Sequence, residues 1–168
     1  VTTALFNAPA DAREKPYTHI NWGCDRQVTW KTNAKVRYVS RWMREIDSQI
    51  TADFARKKRG RADIVIKFMP AKKIERIVGM DNLAGYTSYE WSLSPVQLTK
   101  TRVYVDNKSG RLYADRVFLH EIWHALGVMG HVTRRHSILN NVATVQWLNE
   151  PLPNQADWKL LRRVDKKC

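Results

Sequence analysis

The twelve residues His120-Glu121-Ile122-Trp123-His124-Ala125-Leu126-Gly127-Val128-Met129-Gly130-His131 constrain this chain more than any other stretch. Two histidines four apart stand one above the other on a helix face, so the imidazoles of His120 and His124 can converge on one ion. Glu121 lies beside them, placed to act on a water next to the ion without being a ligand. Gly127 offers a left-handed exit from the helix, and the turn it permits can bring His131 back as a third ligand. Three protein ligands leave one tetrahedral position of zinc open, as in a catalytic rather than a closed structural site. Four of the five histidines fall between His120 and His136. His136 is the alternative third ligand, and whichever of the two is left out is a solvated surface residue. His19, far away in sequence, is read as a surface or core histidine.

This stretch resembles the zinc signature of the metzincin clan of metallopeptidases, HExxHxxGxxH. Gly130 stands where the pattern has its third histidine and His131 follows one residue later, so the loop carries an extra residue. The segment Arg135-His136-Ser137-Ile138-Leu139-Asn140 is similar to the clan's methionine turn, with Leu139 at the methionine position as an apolar floor lacking the thioether. Asn141 stands where some members carry a tyrosine, and no auxiliary tyrosine is assigned.

The resemblance implies an α+β fold: a twisted mixed β-sheet with a backing helix, an active-site zinc helix and a C-terminal helix. It implies Zn2+ as cofactor and a secreted endopeptidase in which Glu121 assists a water that the metal activates, with a protein or peptide as substrate. It also implies an antiparallel edge strand that pairs with an extended peptide by β-augmentation. Residues 83–90 occupy that place, so the backbone of Gly85, Tyr86, Thr87 and Ser88 is the expected substrate-binding segment. Residues 142–148 would line the specificity pocket.

At 168 residues the chain fits one domain, 1–168, with residues 1–16 as an extended N-terminal arm. No run reaches the roughly 18 apolar residues of a membrane span, and a monomer is expected. The sequence begins at Val1 and shows no charged-then-apolar leader, which fits either a leader already removed or a trimmed fragment. The net charge of +13 favours polyanionic neighbours, although the cations are spread along the chain and also serve solubility. Two further functions therefore stand beside the peptidase: a zinc hydrolase of cell-wall or other non-protein amides, and a basic nucleic-acid-binding module with structural zinc. The second is disfavoured because a structural site is closed by a fourth ligand. Cys24 and Cys168 either pair as a disulfide closing most of the chain, worth about 4 to 5 kcal/mol in the chain-entropy model, or remain two free thiols.

Along the chain, residues 18–22 and 27–30 read as one strand or a bent hairpin broken at Gly23. Thr32 or Asn33 can cap a helix over about 34–54 whose stripe is Val36, Val39, Trp42, Met43, Ile46 and Ile50. Residues 55–61, Ala-Arg-Lys-Lys-Arg-Gly-Arg, read as a solvated basic connection. Residues 62–69 form the clearest, central strand; 72–84 read as a polar linker; 85–91 and 101–106 read as strands; and the zinc helix begins near Tyr113. Asn154 caps a last helix carrying Trp158, Leu161 and Val164, with Lys166 and Lys167 near its C-terminus.

Overall fold

The computed structural model describes residues 21–23, 26–34, 37–50, 52–93, 96–108, 111–132, 137–140 and 153–165. The N-terminal arm, His19, His136, Asn141, residues 142–148, Lys166, Lys167 and both cysteines lie outside them. The elements run β1 (Val28–Thr32), α1 (Arg37–Gln49), β2 (Phe54–Arg56), β3 (Ile64–Met69), α2 (Ala71–Val78), β4 (Gly85–Leu93), β5 (Val96–Asp106), α3 (Arg111–Ala125) and α4 (Gln155–Asp165). The five strands form one sheet in the order β2-β1-β3-β5-β4. The β1–β2, β1–β3 and β3–β5 pairs are parallel, and only β4 runs antiparallel to its neighbour. The mixed sheet with its helices is the expected α+β, metzincin-like architecture.

The reason for this layering lies in the strand alternation. Ile64, Ile66 and Phe68 of β3 and Val103 and Val105 of β5 point to one face, where Val39, Met43 and Ile46 of α1 and Val117, Phe118 and Ile122 of α3 cover them. Met69 and Tyr104 point to the other face, where Ile74 of α2 seals a smaller core. Strands buried on both faces read as apolar runs, and β3 sits third of five, as a central strand should.

Five sequence readings change. Residues 21–23 and β1 do not form a hairpin: Asn21 bridges Gln97 on β5, while β1 lies between β2 and β3. Helix α1 stops at Gln49, and Phe54, read as its end, opens the three-residue edge strand β2, paired to β1 from Val28↔Phe54 to Trp30↔Arg56. Among the described residues Asn33 caps no helix. Its side-chain amide donates to the Phe68 carbonyl at 3.1 Å and its oxygen accepts the Phe68 N–H at 2.8 Å, extending the β1–β3 ladder by one side chain. The polar linker 72–84 contains helix α2, which follows Pro70 and ends at Gly79, in the left-handed conformation at φ 77°. Both helix punctuation marks were present in the sequence, but a single buried side chain on one helix, Ile74, gives no period to read. Strand β5 begins five residues earlier than Thr101, at Val96.

Asp63, just before β3, ties the parallel strands together. It accepts from the Thr29 amide at 2.7 Å, from the Thr29 hydroxyl at 2.6 Å and from Arg26. Burial alone would raise this carboxyl, but the Thr29 donors and the Arg26 guanidinium outweigh burial and hold it below the usual carboxylate value. A depressed folded value means that this stabilisation is complete above the unfolded value and is lost as pH falls through the folded one. Asp63→Asn should lower unfolding stability by about 2 kcal/mol at pH 7 and flatten the acid limb of a stability-versus-pH curve. An unchanged acid limb would remove Asp63 from this role.

Candidate metal centre

Helix α3 is buried on nearly every side from Val117 onward, the pattern of a helix that crosses a core rather than lying on it. It ends in a Schellman motif: the Val128 N–H reaches the Trp123 carbonyl at 3.1 Å and the Gly127 N–H reaches the His124 carbonyl at 2.8 Å. Gly127 takes φ 103°, the left-handed exit expected of it. Gly130 takes φ 76°. That second left-handed residue lets the chain absorb the extra position and still bring His131 to the place of the clan pattern's third histidine.

The three rings meet. The Nε2 atoms of His120 and His124 are 3.1 Å apart, those of His120 and His131 3.1 Å, and those of His124 and His131 3.3 Å. A tetrahedral centre with metal–nitrogen bonds of about 2.0–2.1 Å has edges of about 3.3–3.4 Å, so the triangle is slightly tight for zinc and of the right size. The opposite ring nitrogens set the tautomers. His120 Nδ1–H donates to the Ile138 carbonyl at 2.7 Å, and His124 Nδ1–H donates to the Val128 carbonyl at 2.8 Å. Each Nε2 of that pair then carries a lone pair aimed at the shared point. Burial, reinforced by the neighbouring imidazoles, holds His120 well below the ordinary imidazole value and His124 down at about 4. Neutral rings with converging lone pairs repel unless a cation lies among them. His120, His124 and His131 therefore fit a metal ion by donor chemistry as well as by distance.

Glu121 is buried beside this cluster in a slot between α3 and β4. The Thr87 hydroxyl lies 2.7 Å from Glu121 Oε2 and 2.9 Å from the Glu121 carbonyl. Gly85 closes the slot: a Cβ there would lie 2.5 Å from Val117 Cγ1 and 2.8 Å from both Cγ and Oε1 of Glu121. Burial raises the Glu121 carboxyl to about 8, with the Thr87 hydrogen bond pulling the other way. Gly85→Ala should cost about 2–3 kcal/mol through overpacking and push Glu121 from its place. A variant with wild-type Tm and wild-type activity would show that the slot yields freely.

The segment expected to bind substrate does lie on the edge strand, since β4 is last in the sheet order. Its side chains are disposed differently from a purely backbone role. Thr87 faces α3, whereas Tyr86 packs on the opposite face with Met69, Ile74 and Tyr104. The grip of Thr87 and Gly85 on Glu121 was missed, because nothing in a strand's own sequence says which helix residue it will meet.

Beneath the centre, residues 137–140 turn. Leu139 is fully buried in the main core, and Val132 pairs with this turn through an N–H to the Leu139 carbonyl at 3.1 Å. Asp157 of α4 holds the turn from below. Its carboxylate accepts from the Ser137 hydroxyl at 2.5 Å, the Ile138 N–H at 3.1 Å and the Asn154 N–H at 3.0 Å. Burial raises the Asp157 carboxyl, opposed by these three donors. Asn154 returns the contact by accepting the N–H groups of Ala156 at 2.8 Å and Asp157 at 3.0 Å, a reciprocal cap with the acidic residue at the third helical position. The cap at Asn154 was legible in the sequence; the duty of Asp157 toward the turn was not.

No curated protein matches this chain. A family model does, the matrixin model of peptidase family M10, over residues 15–161. Matrixins are zinc-dependent metallopeptidases, and the His120–His124–His131 triangle is close enough to hold such a metal. With most of its length matched and its histidines so arranged, this chain belongs to the matrixin family of the metzincin clan.

Proposed function

We propose that this protein is a secreted, monomeric, single-domain endopeptidase that cuts extended segments of protein substrates. Its zinc would be held by His120, His124 and His131. The observation that carries this reading is the triangle of Nε2 atoms with Glu121 buried beside it, next to an edge strand that pairs with no strand on its outer side among the described residues. Zinc held there supplies the positive charge that activates a water and polarises the scissile carbonyl.

The rest is the work of the chain's own groups. The outer backbone of β4 at Gly85–Ser88 receives the peptide as an added strand and fixes its direction and register. Glu121 takes the proton from the attacking water and gives it to the departing amine, keeping both transfers on one carboxyl. The Thr87 hydroxyl of β4 holds the Glu121 carboxyl in its slot between α3 and β4. The carbonyls of Ile138 and Val128 hold His120 and His124 in the tautomer that leaves Nε2 free to ligate. The secreted placement goes together with a Cys24–Cys168 pairing, for which a free-thiol count near zero in the native protein is expected.

The test is a substrate panel with the zinc-loaded protein. An unstructured protein, short neutral peptides and cross-linked peptidoglycan are digested with and without a chelator, and new termini are read by mass spectrometry. Internal cuts in the protein that vanish with the chelator support the endopeptidase. Intact protein beside cleaved cell-wall amides would transfer the same centre to the alternative hydrolase.

A further inference from the structure

At the edge of the sheet far from β4, the end of β2 and its connection to β3 gather five cations in six positions: Arg56, Lys57, Lys58, Arg59 and Arg61, with Gly60 between the last two. All five are exposed. The loop has a defined course, fastened to β1 at three points. The Lys57 N–H donates to the Trp30 carbonyl at 2.8 Å, Lys31 Nζ donates to the Gly60 carbonyl at 2.7 Å, and the Arg56 guanidinium lies 5.4 Å from the centre of the Trp30 ring. At the tip, a Cβ on Gly60 would meet nothing within 4 Å.

Nearby carboxylates are already engaged. Asp53 accepts from Gln27 at 2.6 Å, and Asp63 is held by Arg26 and Thr29. Among the described residues no ion pair involves Lys57, Lys58, Arg59 or Arg61. Like charges fixed this closely repel one another, and a polyanion relieves the repulsion while releasing its own counterions.

Three features narrow the polyanion. The loop has no exposed aromatic side chain on which the bases of a single strand could stack. It is neither a helix nor a two-stranded ribbon of the kind that enters a duplex groove. It carries no apolar residue to enter a lipid surface. What remains is a flexible chain recognised through its charges alone. We infer that residues 56–61 form an exosite for an anionic polysaccharide, sulfated or rich in uronic acid. Because β2 and β4 are opposite edges of a five-stranded sheet, the exosite lies about 19 Å across the sheet from the strand proposed to take the peptide. Polymer can therefore stay bound while peptide is cut.

The experiment compares the full chain with two variants of equal net charge. The loop variant carries Lys57→Ser, Lys58→Ser, Arg59→Ser and Arg61→Ser. The control carries Lys73→Ser, Arg76→Ser, Lys108→Ser and Lys159→Ser, all exposed positions elsewhere. Binding to heparin, duplex DNA, single-stranded RNA and anionic phosphatidylserine vesicles is measured from about 50 to 200 mM salt. The expected result is heparin affinity about 100-fold weaker in the loop variant and a salt slope shallower by about three. The control should change less than about threefold, and cleavage of a short neutral peptide should be unchanged in both. Equal losses in the two variants would reduce the effect to diffuse net charge. Tighter binding of wild type to nucleic acid or vesicles than to heparin would overturn the choice of partner.

Discussion

Glu121→Ala is expected to reduce kcat/KM for peptide cleavage by about a thousandfold or more, the upper part of the range for loss of a general base, while zinc content stays near one ion per chain. The separation follows from geometry, since the three Nε2 atoms meet without the carboxylate and Glu121 is engaged by Thr87. The fold should not suffer, because a buried carboxyl is itself a burden. In metal-free protein the sign is definite. The folded value of about 8 lies above the ordinary 4.5, so the stabilisation attached to the protonated form is present below about 4.5 and is lost as pH rises through about 8. Metal-free wild type should therefore lose stability relative to Glu121→Gln across that window, measured by denaturant unfolding. Parallel curves, or an alanine variant that still cuts at the normal rate, would take the proton-carrying role away from Glu121.

Asp157→Ala should have the largest effect on stability, about 3–4 kcal/mol, because it strands the buried Ser137 hydroxyl and Ile138 N–H and removes the partner of the part-buried Asn154 N–H. The damage should not stop at the fold. The Ile138 peptide joins Asp157 to the centre: its N–H donates to Asp157 while its carbonyl accepts the His120 Nδ1–H. Loosening the turn should weaken zinc binding about 10- to 100-fold, the usual effect of losing a partner that orients a ligand. Asp157→Asn, which keeps the shape and one acceptor, should restore part of both. If zinc affinity stays at the wild-type level while Tm falls, Asp157 supports the helix junction alone.

Local patterns made much of this chain legible. The four-residue spacing of His120 and His124, the left-handed exit at Gly127 and the Asn154 cap are properties of a few consecutive residues, and each is found where the sequence placed it. The central strand β3 was readable because five of its six residues are apolar, as suits a strand inside a sheet that helices cover. By contrast, β2 is too short to show a period, and α2 buries a single side chain along its own length. Asn33 looked like a helix cap because cap residues are polar and precede helices; its amide was taken instead by the Phe68 backbone of a neighbouring strand.

The sequence by itself determined the chemistry on offer: two imidazoles on one helix face, a carboxylate beside them, a glycine turn and a late third histidine. Only the tertiary structure decided how those groups are held. Thr87 and Gly85 meet Glu121 across 34 and 36 residues of chain, and Asp157 meets the turn at Ile138 across 19. The reason is physical. Hydrogen-bond geometry and helical period act within a few residues and leave a mark in the order of amino acids. A contact between a strand and a helix depends on how the sheet stacks and twists, which many weak packing choices settle together.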